Sequence, residues 1–348
     1  MLDNFIIFLK KLDNNFSPTE AHLELTYRCN LNCVYCYCLK DPNEISTNRF
    51  KEIISKLKDL EVFFLTFSGG EPLLREDFLE LYLYARKKGF LISILTNGTL
   101  FNKKIIDVLT KFPPYVIEIT LNAISQKIYQ KITQSNFKVK KVLENIKLLK
   151  EKNIPIRIKT VVLSLNKDEF LKIKDYSFTI LGKQKRGYLF SYDFYIYPKI
   201  GGDKTPTKYR LSHSQIEEIL KKDKDLWSNW QNELKRAFPK INLKNKFFCS
   251  FPKESFVISP SGQLKFCIFS TKFSQDIIKI PIDLAYKDLI KNLEKFCEYK
   301  NSCYFNCKFN KTCFWCPIRE ELEGKNNLDY FCSWARYFYK ETGKIRCG

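Results

Sequence analysis

His22-Leu23-Glu24-Leu25-Thr26, running directly into Tyr27-Arg28-Cys29-Asn30-Leu31-Asn32-Cys33-Val34-Tyr35-Cys36, is the stretch on which the reading of this chain turns. The first five residues have the length and composition of a strand, and the thiols follow at once with C-x3-C-x2-C spacing. In an α/β protein that is the end of the strand where active sites form. Three thiolates on one loop can converge on a single metal centre and leave one position without a protein ligand. Structural zinc is the competing reading, but such sites close with four ligands, and Cys38 is the one further thiol at usable spacing.

Outward from this loop, short β-rich runs alternate with longer amphipathic stretches from Ala21 to about Tyr197, the pattern of a parallel α/β sheet. The expected strands are His22–Thr26, Val62–Ser68, Phe90–Thr96, Val116–Leu121, Ile154–Leu163 and Gly187–Tyr197. Helices are expected over Ser46–Leu60, where Phe50, Ile53, Ile54, Leu57 and Leu60 share a face, and over Lys138–Lys152. Six β/α units with right-handed crossovers place the loops after the strands at one mouth. KIGGDKTP at Lys199–Pro206 breaks the periodicity, and Leu211–Phe238 reads as a polar helical bridge, with a boundary near Lys240. Residues 1–20 are then an N-terminal extension, 21–200 the α/β core, 201–245 a bridge and 246–348 a cysteine-organised module, for nine of the 13 cysteines fall in the last hundred residues.

The chain has 348 residues, enough to bury a core without disulfides, with 45% hydrophobic and 28% charged residues. These values exclude a disordered chain and a polytopic membrane protein. No apolar run approaches the ~18 residues of a membrane span, and the opening MLDNFIIFLKK lacks the basic start and cleavage site of a signal peptide. A cytoplasmic setting is therefore expected, in which cysteines serve more often as metal ligands than as disulfides. The net charge of +21 comes mainly from lysine, with only eleven arginines. It suits acidic partners in general, and no Arg/aromatic stripe marks a nucleic-acid site.

A second motif stands at the end of the second strand: Phe67-Ser68-Gly69-Gly70-Glu71-Pro72. Glycines there let the backbone approach a ligand, and its carbonyls can receive an ammonium group. With Cys29, Cys33, Tyr35 and Cys36, this turn makes the chain resemble the radical S-adenosylmethionine (SAM) enzymes, whose C-x3-C-x-aromatic-C signature follows the first strand of a partial (β/α)6 barrel. The resemblance implies a [4Fe-4S] cluster on Cys29, Cys33 and Cys36, with SAM on the fourth iron. One-electron cleavage of SAM then yields methionine and a 5′-deoxyadenosyl radical. It also implies Tyr35 near the adenine and Gly69, Gly70, Glu71 and Pro72 around the methionyl amine. Asn97, after the third strand, and Thr120, at the end of the fourth, join the cofactor-binding set, although polar residues at strand ends are as often caps. Relatives commonly carry Asp where this chain has Asn122.

Cys249, Gly262-Gln263-Leu264-Lys265-Phe266-Cys267, Cys303-x3-Cys307-x5-Cys313-x2-Cys316 and Cys332 resemble the SPASM extension of these enzymes, with two spacers exchanged in the second half. The resemblance implies two auxiliary [4Fe-4S] clusters: Cys303, Cys307, Cys313 and Cys332 on the outer one, and Cys249, Cys267 and Cys316 on the inner one. The inner cluster is then open unless Cys297 fills it. Zinc in a ribbon or treble clef is the alternative, while Cys38, Cys297 and Cys347 are left unassigned. His22 and His213 are read as packed or solvated rather than catalytic.

SPASM relatives mostly modify peptides, so the expected substrate is a peptide or protein, oxidised or crosslinked, with an electron donor such as flavodoxin or ferredoxin. A small molecule or tetrapyrrole precursor is the alternative. Non-catalytic zinc or nucleic-acid binding comes third. Sulfatase maturases carry a basic Asp after the cysteine of G-x4-C, where this chain has Ile268, which speaks against that activity. Only 28 residues precede Cys29, too few for a winged-helix leader-binding domain, so a separate leader-binding protein or direct recognition is expected. No catalytic acid or base is named by the residues alone.

Overall fold

The computed structural model of the chain describes residues 18–39, 41–182, 189–237, 254–270, 273–297, 307–309, 312–313, 316–324 and 329–346. Six strands run parallel in chain order: β1 (Glu20–Thr26), β2 (Phe64–Gly69), β3 (Leu91–Thr96), β4 (Val116–Thr120), β5 (Ile156–Val161) and β6 (Phe190–Asp193). Between them lie α1 (Thr47–Asp59), α2 (Phe78–Lys87), α3 (Lys103–Lys111), the pair α4 (Gln126–Thr133) and α5 (Val139–Glu151), and α6 (Phe170–Leu181). The sheet is open, as a partial barrel requires. Its other side continues through β7 (Ser255–Ile258), parallel to β1, into the antiparallel strands β8 (Gln263–Lys265) and β9 (Ser274–Asp276). The cysteine-rich part of the chain thus begins inside the same sheet as the core.

Alternation along the strands separates two faces. Ala21, Leu23 and Leu25 of β1 are fully buried in one core with Phe50, Ile54 and Leu57 of α1, the helical face expected from spacing. The other face is polar and bonded from strand to strand. Glu20 accepts from Thr66 Oγ1 at 2.7 Å, His22 bonds Ser68, and Glu118 pairs with Arg157 at 3.3 Å. His22 is therefore packed as expected, and burial lowers its pKa. His213 lies parallel to Tyr337 with ring centroids 5.1 Å apart.

Where elements differ from their expected bounds, local chemistry explains it. Pro155 has no amide to give the ladder, so β5 starts at Ile156. β6 stops at Asp193 because its carboxylate accepts the Tyr195 amide at 2.7 Å and turns the chain; residues 187–188 lie outside the described set. The bridge is two helices, α7 (His213–Lys221) and α8 (Lys224–Ala237). Ser212 and Gln215 form a capping box on α7, and the Asp223 side chain accepts the Leu226 amide at 3.0 Å to start α8. The C-terminal part adds α9 (Ile282–Cys297), α10 (Pro317–Glu323) and α11 (Asp329–Arg346).

Candidate active site

The thiol loop leaves β1 at the C-terminal end of the sheet and is pinned from two sides. The amides of Asn32 and Val34 donate to the carbonyls of Thr133 and Ile132 at the end of α4, each at 2.9 Å, and Cys36 N closes a turn on Cys33 O at 3.0 Å. On the other side the glycine turn lies directly against the loop's backbone. Gly70 N donates to Thr26 O at 2.6 Å and Glu71 N to Arg28 O at 2.9 Å. A Cβ on Gly69 would sit 2.0 Å from the Thr26 carbonyl oxygen, and one on Gly70 2.3 Å from that of Arg28. These glycines therefore admit the Thr26–Arg28 backbone from which the thiol loop starts.

Glu71 is fully buried and anchors the next strand end, accepting from Leu73 N at 3.1 Å, Thr96 Oγ1 at 2.7 Å and Asn97 N at 2.7 Å. Burial pushes its carboxyl up to about 7, against the pull of those three donors. Pro72 opens a buried turn of 3-10 helix. Asn97 reaches the loop, donating to Asn30 Oδ1 at 2.9 Å and lying 3.8 Å from Cys29 Sγ. Asn122, a departure from the usual Asp, donates to the Tyr35 hydroxyl at 2.7 Å and accepts the Val161 amide at 2.8 Å, so it sets the ring beside the thiols. Thr120 is half-buried and its hydroxyl has no hydrogen-bond partner among the described residues.

Cys29 is exposed, whereas Cys33, Cys36 and Cys38 are half-buried. Burial raises the Cys29 thiol to about 11, against the Leu31 amide, and it raises Cys33 further, with Cys36 adding to both. Positive charge beside Cys29 and Cys33, such as iron supplies, would favour their thiolates. The donor set fits a cluster held on three separate thiolates, and Cys29, nearest to solvent, lies under the Asn97 amide. Cys38 donates to Gly69 O at 3.8 Å. Among the described residues no three His, Cys, Asp or Glu side chains close on a single metal ion.

Of the C-terminal thiols, Cys267, Cys307, Cys313, Cys316 and Cys332 are half-buried. Cys249, Cys303 and Cys347 lie outside the described residues, as does the side chain of Cys297. Cys267 follows β8 and Cys316 precedes α10, and both pack against the main hydrophobic core.

Two groups on the polar face were invisible in the sequence. Lys265, two residues before Cys267, donates to Glu24 Oε2 at 3.0 Å and to Tyr27 Oη at 3.2 Å, and Tyr27 itself donates to Glu24 at 2.9 Å. All three are buried. At the far end, burial pushes the Asp193 carboxyl up against the Tyr195 amide and the charges of Lys159 and Arg319. The Arg319 guanidinium lies 5.1 Å from the centroid of the Tyr197 ring. Tyr197 packs on Phe269 at 4.4 Å and Phe269 on Tyr37 at 4.7 Å.

An open parallel α/β sheet with a thiol loop after its first strand and a buried Gly-Gly-Glu turn against that loop defines a protein whose chemistry is done at the strands' C-terminal mouth. Residues 23–176 match the profile of the Radical SAM superfamily, and the chain carries a radical SAM domain. It is 27% identical over 343 residues to the antilisterial bacteriocin subtilosin biosynthesis protein AlbA of Bacillus subtilis (strain 168), spanning 92% of this chain and 71% of AlbA. It is 25% identical over 232 residues to the AdoMet-dependent heme synthase of Methanosarcina barkeri (strain Fusaro / DSM 804), 66% of this chain and 61% of that protein. Streptococcus suis SuiB bound to its precursor peptide SuiA shares the fold, with a TM-score of 0.69 at 16% identity over 91% of this chain and 75% of SuiB. No helix among the described residues is long and apolar enough to cross a membrane.

Proposed function

We propose that this chain is a radical SAM enzyme that modifies a peptide or protein substrate, working in the reducing cytoplasm with an electron donor of the flavodoxin or ferredoxin kind. The observation that carries the reading is the packing of the Gly69-Gly70-Glu71 turn onto the Thr26–Arg28 backbone that leads straight into Cys29, because it joins two distant motifs into one site. Cys29, Cys33 and Cys36 would hold a [4Fe-4S] cluster, and Cys249, Cys267, Cys303, Cys307, Cys313, Cys316 and Cys332 two auxiliary ones. Held on Cys29, Cys33 and Cys36, the cluster would supply the one-electron chemistry by which SAM is cleaved and a substrate hydrogen removed. The protein's own part is positional. Glu71 fixes the turn and Asn97 together, Asn122 holds Tyr35, and the Thr120 hydroxyl is free to bond the cofactor. AlbA and the SuiB–SuiA complex support the peptide as substrate class, and a separate leader-binding protein would complete recognition.

The test is anaerobic reconstitution followed by iron and sulfide analysis and dithionite reduction with SAM. We expect about twelve irons with equal sulfide and formation of 5′-deoxyadenosine. Replacing Cys29, Cys33 and Cys36 together by Ala should remove about four irons and all of the product. Zinc without iron overturns the enzymatic reading. Turnover of a porphyrin precursor instead of peptides, in line with the heme synthase relative, overturns the substrate class alone.

A further inference from the structure

The end of β6 holds a charge cluster that neither the thiol loop nor the glycine turn uses. Asp193 spends one carboxylate oxygen on the Tyr195 amide at 2.7 Å. Lys159, on the adjoining strand β5, and Arg319, on α10, both bear on this carboxylate, yet among the described residues neither closes an ion pair with it. Lys159 and Asp193 stand on the same face of adjoining strands, two residues apart in the ladder. Arg210 shows what a satisfied guanidinium looks like in this protein. It donates twice to Ile196 O, at 2.9 and 2.7 Å, and pairs with Glu323. Arg319 has no hydrogen bond among the described residues and rests only on the Tyr197 ring.

That ring is the end of a packed series, Tyr37–Phe269–Tyr197, which starts at the residue after Cys36 and passes two residues beyond Cys267. The Ile200 amide ties the same segment to Tyr37 O at 2.9 Å. Arg319 is thus fixed on the wall joining the thiol loop to the C-terminal cysteines, with its fork of donors unspent. Such a fork matches a carboxylate bidentately, and its value rises as water is excluded.

We propose that Arg319 is a specificity-determining residue that receives a carboxylate of the substrate, an Asp or Glu side chain of an acidic peptide segment. This rests on the peptide reading above. The Tyr197 ring holds the guanidinium without taking its donors, and the surplus of lysine draws acidic chains toward it.

The probe is a set of short rhodamine-labelled Ala/Ser peptides carrying one central Glu, Gln or Lys, titrated by anisotropy into the reconstituted protein with SAM. The Glu peptide should bind about tenfold tighter than the Gln peptide. Arg319→Gln should bring that ratio to about one, and Arg319→Lys should keep part of it, with iron content and unfolding midpoint confirming that the variants fold. A Glu/Gln ratio near one in the unaltered protein overturns the proposal. So does a ratio that survives in Arg319→Gln, which would mean general attraction by the lysine-rich surface. 5′-Deoxyadenosine is measured separately, so loss of the radical chemistry and loss of carboxylate selectivity are told apart.

Discussion

Gly70 and Glu71 show how much of the site rests on single residues. The glycine has no room for a side chain, since the Arg28 carbonyl oxygen would lie 2.3 Å from its Cβ. The carboxylate beside it gathers Leu73, Thr96 and Asn97. Its folded pKa, raised by burial from 4.5 to about 7, has a consequence for stability. Below the unfolded value both states are protonated and the native advantage is complete. Between there and about 7 the unfolded chain ionises first, so stability falls as pH rises, by on the order of 3 kcal/mol from this group. Chemical denaturation of the metal-free protein between pH 4 and 8 should show Glu71→Gln losing that slope. An unchanged slope would place the titration elsewhere. Glu71 could be read in the sequence as part of the glycine turn, whereas its reach to Asn97 could not, because 26 residues separate them.

At the scale of elements, the C-terminal hairpin is held to the core by charge as well as by the ladder. β7 pairs with β1, and β8 brings Lys265 over Glu24 and Tyr27 on the polar face. A buried ion pair contributes little net stability over an apolar substitute, but removing one partner strands the other. Lys265→Met should therefore cost about 3–5 kcal/mol, while Lys265→Met combined with Glu24→Leu should recover much of the loss. Hydrogen exchange of the β7 and β8 amides is the readout, and uniform protection in the single variant would count against the link. The strand Ser255–Ile258 was not read from sequence. Three apolar residues after a long break carry no period that tells strand from buried loop.

Across the whole molecule, Arg210 fastens the C-terminal helices to the parallel sheet. It caps the carbonyl of Ile196 just beyond β6, pairs with Glu323 of α10, and lies 3.8 Å from the centroid of the Tyr330 ring on α11. Trp334 of α11 packs in turn on Tyr195 at 5.3 Å and on Trp230 of α8 at 6.2 Å. Arg210→Ala leaves Glu323, 2% exposed, without its cation, and should cost about 3 kcal/mol. Limited proteolysis should then cut first within residues 317–346. Cleavage spread evenly over the chain would mean that this joint does not hold the C-terminal part. The sheet running from β6 through β1 to β9 joins the start of the cysteine-rich part to the core.

The sequence by itself determined the parallel α/β class, the six-unit count and the two motifs, since C-x3-C-x2-C, Gly-Gly-Glu-Pro and helical or strand periodicity are carried by contiguous residues. Only the tertiary structure decided that the glycines make room for the thiol loop, that Asn122 serves Tyr35, and that Arg319 rests on the Tyr197 ring. Each of those contacts joins residues tens to more than a hundred positions apart. A polar residue at a strand end looks the same in sequence whether it caps a turn or faces a substrate, and chain closure alone brings its partners to it.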